Sequence, residues 1–223
     1  MYTKSIVDRS MPHMTTWPLK VLLLLGLLSQ SNSQKTETST LYDFTSQDSS
    51  VEGWSELSDT TREQGLSKGS ISIIEASTDR RAVFFSLLVP QPDSACFAGV
   101  QSPVMVPGQA DFSGFSDLVI INARGQGGHN GATRLLYKAI VKDNNVNSSL
   151  AFEQYFEVPT DHSASDYPLP LTDFACSYRG QSCPDLPDWR AVSTVGFQIA
   201  GGVYEAYSQQ GTASLELDSV ELV

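Results

Sequence analysis

The chain has 223 residues and a formal net charge of −11, which suits one domain plus a leader with ample material for a core. Such acidity excludes sequence-independent nucleic-acid binding, which needs a basic footprint. An apolar content of 40% places the remainder among ordinary globular proteins.

The N-terminal stretch WPLKVLLLLGLLSQSNSQ, residues 17–34, has the three-part layout of a secretory signal peptide: Lys20, an apolar block from Val21 to Leu28, then small polar residues. Ser31 and Ser33 fill the small-residue cleavage positions. The block is too short to span a bilayer, so no permanent membrane anchor is expected. A mitochondrial presequence would be an Arg-rich amphipathic helix, whereas this leader carries only Arg9. Residues 1–33 are therefore read as a signal peptide, residues 34–40 as a disordered polar tail, and residues 41–223 as a single domain. Without the leader, 11 basic and 24 acidic residues remain, a net charge of −13.

Short β-like runs follow in chain order: SISIIEA, RAVFFSLLVP, FAGVQS, LVIINAR, LLYKAIV, AFEQYFEV, YPLPL, VGFQIA and ASLELDSVELV. Between them lie segments rich in Pro, Gly, Asn, Asp and Ser, the residues of turns. In the last run Leu215, Leu217 and Val220 point inward, while Glu216, Asp218 and Glu221 point outward. Many strands without a long helical run predict an all-β sandwich.

The segment ARGQGGHNG, residues 123–131, follows an apolar run and admits a second reading, the strand–turn–helix of a dinucleotide site. Gly125 and Gly127 match G-x-G-x-x-G, but Asn130 stands at the third glycine position. No amphipathic helix of adequate length follows Leu150, so the segment is expected to be a hairpin turn, with no cofactor.

Secretory entry gives the three cysteines a meaning. Cys176 and Cys183 bracket CSYRGQSC, a polar loop with Gly180, and an oxidising lumen favours a disulfide there. Cys96 is left as a small buried thiol. The alternative is three reduced core residues. The same compartment would expose Asn147, in the sequon Asn147-Ser148-Ser149, to glycosylation.

The order of motifs resembles the complex I intermediate-associated protein 30 family from about Tyr42 to Val223. VEGWSELSDTTREQGLSKGSI carries the family's Trp, Ser-Asp pair and glycine-serine turn at Trp54, Ser58, Asp59, Gly65 and Ser67. ACFAGVQSP resembles its aromatic-glycine strand through Phe97 and Gly99. DFSGFSDLVIINARGQGG resembles its most recognisable block, with Gly125 and Gly127 in the turn, and VSTVGFQIA its glycine-phenylalanine strand, with Gly196 and Phe197. Gln64, Cys96 and Gln126 depart from the family pattern, which has glycine, glycine and aspartate there. The resemblance implies a galactose-binding-like jelly-roll β-sandwich and a non-catalytic assembly role toward mitochondrial respiratory complex I.

Catalytic signals are sparse. GLSKG, residues 65–69, matches G-x-S-x-G, but a nucleophile elbow needs a helix after Ser67 and SISIIEA reads as strand. His129 and His162 stand singly, and no C-x-x-C pair supports zinc. Asp59, Asp111 and Asp117 could supply oxygen ligands to calcium, but their spacing is no calcium loop and turn capping is the simpler role. Trp54 and Trp189 could form a sugar-stacking platform, against the simpler reading of packing. The expectation is a non-catalytic binding or assembly module, without metal or cofactor, acting on a protein client in the secretory pathway. The alternatives are a secreted carbohydrate-binding module with a glycan partner and, if the leader is a presequence, a mitochondrial complex I assembly factor.

Overall fold

A computed structural model describes residues 37–61, 65–76, 79–91, 95–106, 110–128, 131–144, 150–202 and 208–223. The leader, His129 and Asn147 lie outside the described residues.

Two antiparallel sheets carry the fold. The first contains β1 (Ser39–Asp43), β3 (Lys68–Ala76), β4 (Asp79–Leu88), β6 (Asp117–Gly127), β9 (Ser165–Pro170), β13 (Gly211–Leu217) and β14 (Ser219–Leu222). Its order runs β1-β14-β6-β13-β4-β3, with β9 on the other side of β6. The second contains β2 (Ser55–Glu56), β5 (Ala95–Gln101), β7 (Arg134–Asp143), β8 (Leu150–Pro159), β10 (Ala175–Tyr178), β11 (Gln181–Ser182) and β12 (Val192–Gly202), in the order β11-β10-β8-β7-β12-β5-β2. The all-β sandwich follows from period-two alternation in strands such as β4, where Ala82, Phe84 and Leu88 face the core. From the second sheet Leu135, Tyr137, Ala139 and Val141 of β7 and Val195, Phe197 and Ile199 of β12 meet them. Each of the Leu, Val, Ile and Phe side chains among them contributes roughly 1.5–3 kcal/mol on full burial. The Tyr137 ring bridges the layers, 5.9 Å from Phe156 and 6.3 Å from Phe84. Its hydroxyl has no partner among the described residues, and burial drives its ionisation far above the usual phenol range.

Three expectations need correction. Ser39 and Thr40 are not tail: they form β1, because β14 offers them a ladder at Leu222 and Glu221. The glycine segment is not a hairpin turn. Gly125 and Gly127 are still strand, paired with Leu215 and Ala213, and β6 and β7 belong to different sheets. The connection therefore crosses from one layer to the other. At Gly127, with φ of 95°, a Cβ would lie 2.5 Å from the Thr212 carbonyl oxygen, so glycine lets the strands touch as the chain turns away. Nor is CSYRGQSC simple loop: β10 and β11 form a hairpin turning at Arg179 and Gly180, both with positive φ.

That hairpin carries the Cys176–Cys183 disulfide, with Cα atoms 5.2 Å apart, while Cys96 is buried and free. Closing so short a loop contributes about 2–3 kcal/mol. A Cys176→Ser, Cys183→Ser variant should fold and melt about 4–12 °C lower, read by calorimetry without reductant.

Candidate functional site

Most of the matching motif positions converge where β3, an edge strand of the first sheet, approaches β5, which has only the two-residue β2 outside it in the second. Leu57 N–H donates to the Gly99 carbonyl at 2.8 Å, which brings the chain alongside β5. Ser58 Oγ then accepts from Gly99 N–H at 3.2 Å, and Asp59 Oδ2 accepts from Phe97 N–H at 3.2 Å. Asp59 Oδ1 takes Ser67 N–H at 2.9 Å, and Ser67 Oγ takes Val89 N–H at 3.1 Å. Asp59 is only 3% exposed and Ser67 fully buried. The side chains of Ser58 and Asp59 thus substitute for a neighbouring strand along β5, satisfying donors that would otherwise be stranded.

The glycines follow from this closeness. A Cβ on Gly99 would lie 2.8 Å from both the Leu57 and Phe197 carbonyl oxygens, and one on Gly69 would run into the Gly99 backbone. Gly65 lies against the Asp59 backbone, and Gly196 against the Val100 carbonyl. Trp54 stacks on Phe197 at 6.3 Å and meets Tyr42 edge-on at 5.2 Å, so it packs the core rather than presenting a platform. Trp189 likewise packs against Phe112 and Phe174. Gly125 and Gly127 stand apart from this cluster, in β6. Gly125 permits a second close approach between sheets, where a Cβ would lie 2.7 Å from the Pro159 carbonyl oxygen.

The chemistry available to this cluster is structural. Ser67 Oγ is a buried acceptor, and the residues after it form strand β3 and not a helix. Burial, and then the Asp59 charge, raise the Cys96 thiol to about 11, so it stays protonated and inert. Asp111 caps a turn at Ser113, and Asp117 accepts from the Ser116 hydroxyl. Asp59, Asp111 and Asp117 do not form a common ligand set among the described residues. The three groups of metal-ligand spacing there are Cys176, Cys183 and Asp185, whose two sulfurs are bonded to each other.

The open surface lies elsewhere. On the outer face of the first sheet, Lys68, Ser70, Phe85, Leu87, Gln126 and Thr212 line a shallow groove of about 540 Å³. Phe85 and Leu87 are 43% and 38% exposed on its floor. They alternate with the inward Phe84 and Leu88 inside one apolar run, AVFFSLL, so their exposure has no separate mark in the sequence. The outer face of the second sheet is instead internally satisfied. There Lys138 Nζ lies 3.4 Å from Glu153 Oε2 and 4.8 Å from the centre of the Tyr155 ring, and Lys142 donates to Gln101 Oε1 at 3.0 Å.

The model of the complex I intermediate-associated protein 30 family matches residues 42–217. No curated protein sequence matches the chain. Among solved structures, the family 11 carbohydrate-binding module of the cellulosomal cellulase Lic26A-Cel5E of Clostridium thermocellum superposes with a TM-score of 0.55. It is 16% identical over 84% of this chain and 95% of that one. The family 11 module from Clostridium thermocellum in complex with a β-1,3-1,4-mixed-linked tetrasaccharide gives a TM-score of 0.56. Its identity is 14%, over 84% of this chain and 96% of that one. Identities this low show the fold alone, a jelly-roll β-sandwich.

Removing the carboxylate at the centre of the motif cluster strands two backbone donors, at about 1–3 kcal/mol each. Asp59→Ala should therefore lose about 2–6 kcal/mol in urea unfolding, whereas Asp111→Ala on the exposed turn should lose under about 1 kcal/mol.

Proposed function

The chain belongs to the complex I intermediate-associated protein 30 family, and on that premise we propose that it is a non-catalytic assembly module that holds a protein client on the outer face of its first sheet. The observation that carries this reading is the pair Phe85 and Leu87, left open to water on a sheet face whose neighbours are polar. Burying both against a partner would contribute roughly 1–3 kcal/mol. The motif residues support the scaffold and not the partner, which fits a domain whose shape is fixed while its outer face is adapted to a client.

The ring of small polar groups around the groove supports a second reading. Ser70, Gln126, Thr212 and Ser214 flank one aromatic ring, a combination that suits a neutral glycan by stacking and hydrogen bonding. The carbohydrate-binding modules that share the fold are in keeping with it. We assign the compartment to the secretory pathway, on the apolar block Val21–Leu28 and on the Cys176–Cys183 disulfide. Asn147 is the proposed glycan acceptor there. A mitochondrial role in complex I assembly is the alternative that the family offers.

A photoreactive side chain at Thr212 should couple to a polypeptide in cells, and Phe85→Ser with Leu87→Ser should reduce that product about tenfold, the expected loss for roughly 1.4 kcal/mol. Retention on a glycan array, lost in the same double variant with no polypeptide captured, would favour the glycan reading. Equal coupling by wild type and variant would remove the groove from consideration.

N-terminal sequencing of the cellular protein should find a start near Gln34. An intact leader, or cleavage on import into isolated mitochondria, would transfer the protein to the respiratory-complex role.

A further inference from the structure

Free sheet edges are templates for unwanted pairing, and proteins blunt them with bulges, prolines, charges or short strands. Among the described residues nearly every edge here is blunted. β1 shifts register between Thr40 and Tyr42, β2 and β11 are two residues long, β9 carries Pro168 and Pro170, and Ser58 and Asp59 cap β5. β3 differs. It runs nine residues in unbroken register with β4, from Lys68 opposite Leu87 to Ala76 opposite Asp79, with no proline and no charge between Ser70 and Ile74.

The direction of its free hydrogen-bonding groups can be read from one contact. Gly69 N–H donates away from β4, to Glu56 Oε1 at 3.2 Å. In an antiparallel ladder this alternates, so the N–H and C=O groups of Ile71, Ile73 and Glu75 also point outward. None of these backbone groups has a hydrogen-bond partner among the described residues.

We propose that β3 pairs antiparallel with β3 of a second copy of this chain, about a twofold axis through Ser72. The strand's own pattern selects the register. A shift by one residue would set outward side chains against inward ones. Centring on Ile73 would place the Glu75 carboxylate opposite Ile71, which packs against the core. Centring on Ser72 sets Ile71 opposite Ile73 and Ser72 opposite itself. It also sets Ser70 opposite Ile74, bringing the exposed Ile74 of one copy toward Phe85 of the other, since Phe85 stands beside Ser70. Lys68 then faces Ala76, and Glu75 faces Gly69, whose N–H is already held by Glu56 Oε1, so pairing at that end displaces the Glu56 side chain and the bonds that need no displacement are those of Ile71 with Ile73. The pairing goes beyond the client groove, which lies on the adjacent outer face and does not depend on it.

So short a ladder falls at the weak end of protein interfaces, so the association is expected at micromolar concentration. Sedimentation of the purified protein between about 5 and 300 µM should show a monomer–dimer equilibrium. Ser72→Lys, which sets two ammonium groups face to face, should weaken it about tenfold or more. Ser72 and its mate form a non-hydrogen-bonded pair, about 4.5 Å apart at Cα, within disulfide reach. Mild oxidation of Ser72→Cys should therefore give a covalent dimer. Ser70→Cys alone should not, but Ser70→Cys mixed with Ile74→Cys should. The wild type, whose Cys96 is buried, is the control. A monomer at every concentration, a dimer indifferent to Ser72→Lys, or cross-linking without this register overturns the proposal. A monomer whose Ser72→Cys thiol couples to a different polypeptide overturns it too and assigns the edge to that partner.

Discussion

Asp59 accepts hydrogen bonds from Ser67 and Phe97 while almost wholly withdrawn from water. A two-layer sandwich must deal with the ends of its ladders, because backbone donors there are neither paired with a strand nor fully hydrated. Here one short segment closes the gap between the layers with side-chain oxygens from Ser58 and Asp59. Because that segment lies directly on β5, the neighbouring positions have no room for a Cβ, and glycine at 65, 69 and 99 follows as a steric consequence. The inertness of Cys96 follows as well, since its thiolate would have to form beside a buried carboxylate.

Much of this architecture can be read along the chain. The alternation in ASLELDSVELV announces a half-buried strand, and Leu215, Leu217 and Val220 are indeed core. The turn-rich segments between runs announce the absence of long helices. Harder to read is anything that depends on which strand lies beside which. Gly125 and Gly127 look like a turn because glycine is the usual turn residue, but a strand that must touch another backbone uses the same residue. Ser58 and Asp59 look like local turn caps, yet their acceptors serve a strand about forty residues away. The hairpin of β10 and β11 is hidden because its flanking residues are polar and short.

The two outer faces differ in what they leave open. On the second sheet each cation already has an acceptor or a ring, so a ligand there would have to break existing pairs before gaining its own. On the first sheet the exposed floor of Phe85 and Leu87 has no such prior claim. Apolar area without a covering layer is the cheaper starting point for association, and it lies on the sheet whose β3 edge is also open.

The placement of the last strands constrains how the protein can be made. β13 and β14 are interior members of the first sheet: β13 joins β4 to β6, and β14 joins β1 to β6. A ribosome delivers them after every other strand of the two sheets. Until residues 211–222 emerge, β4 and β6 have no common neighbour, and the apolar inner faces of Phe84, Leu118 and Ile120 have only the second sheet to cover them. Sheet two can zip up before those residues emerge, whereas sheet one condenses only afterwards. Until then the nascent chain carries an unpaired central groove, the state in which folding helpers and aggregation compete for it.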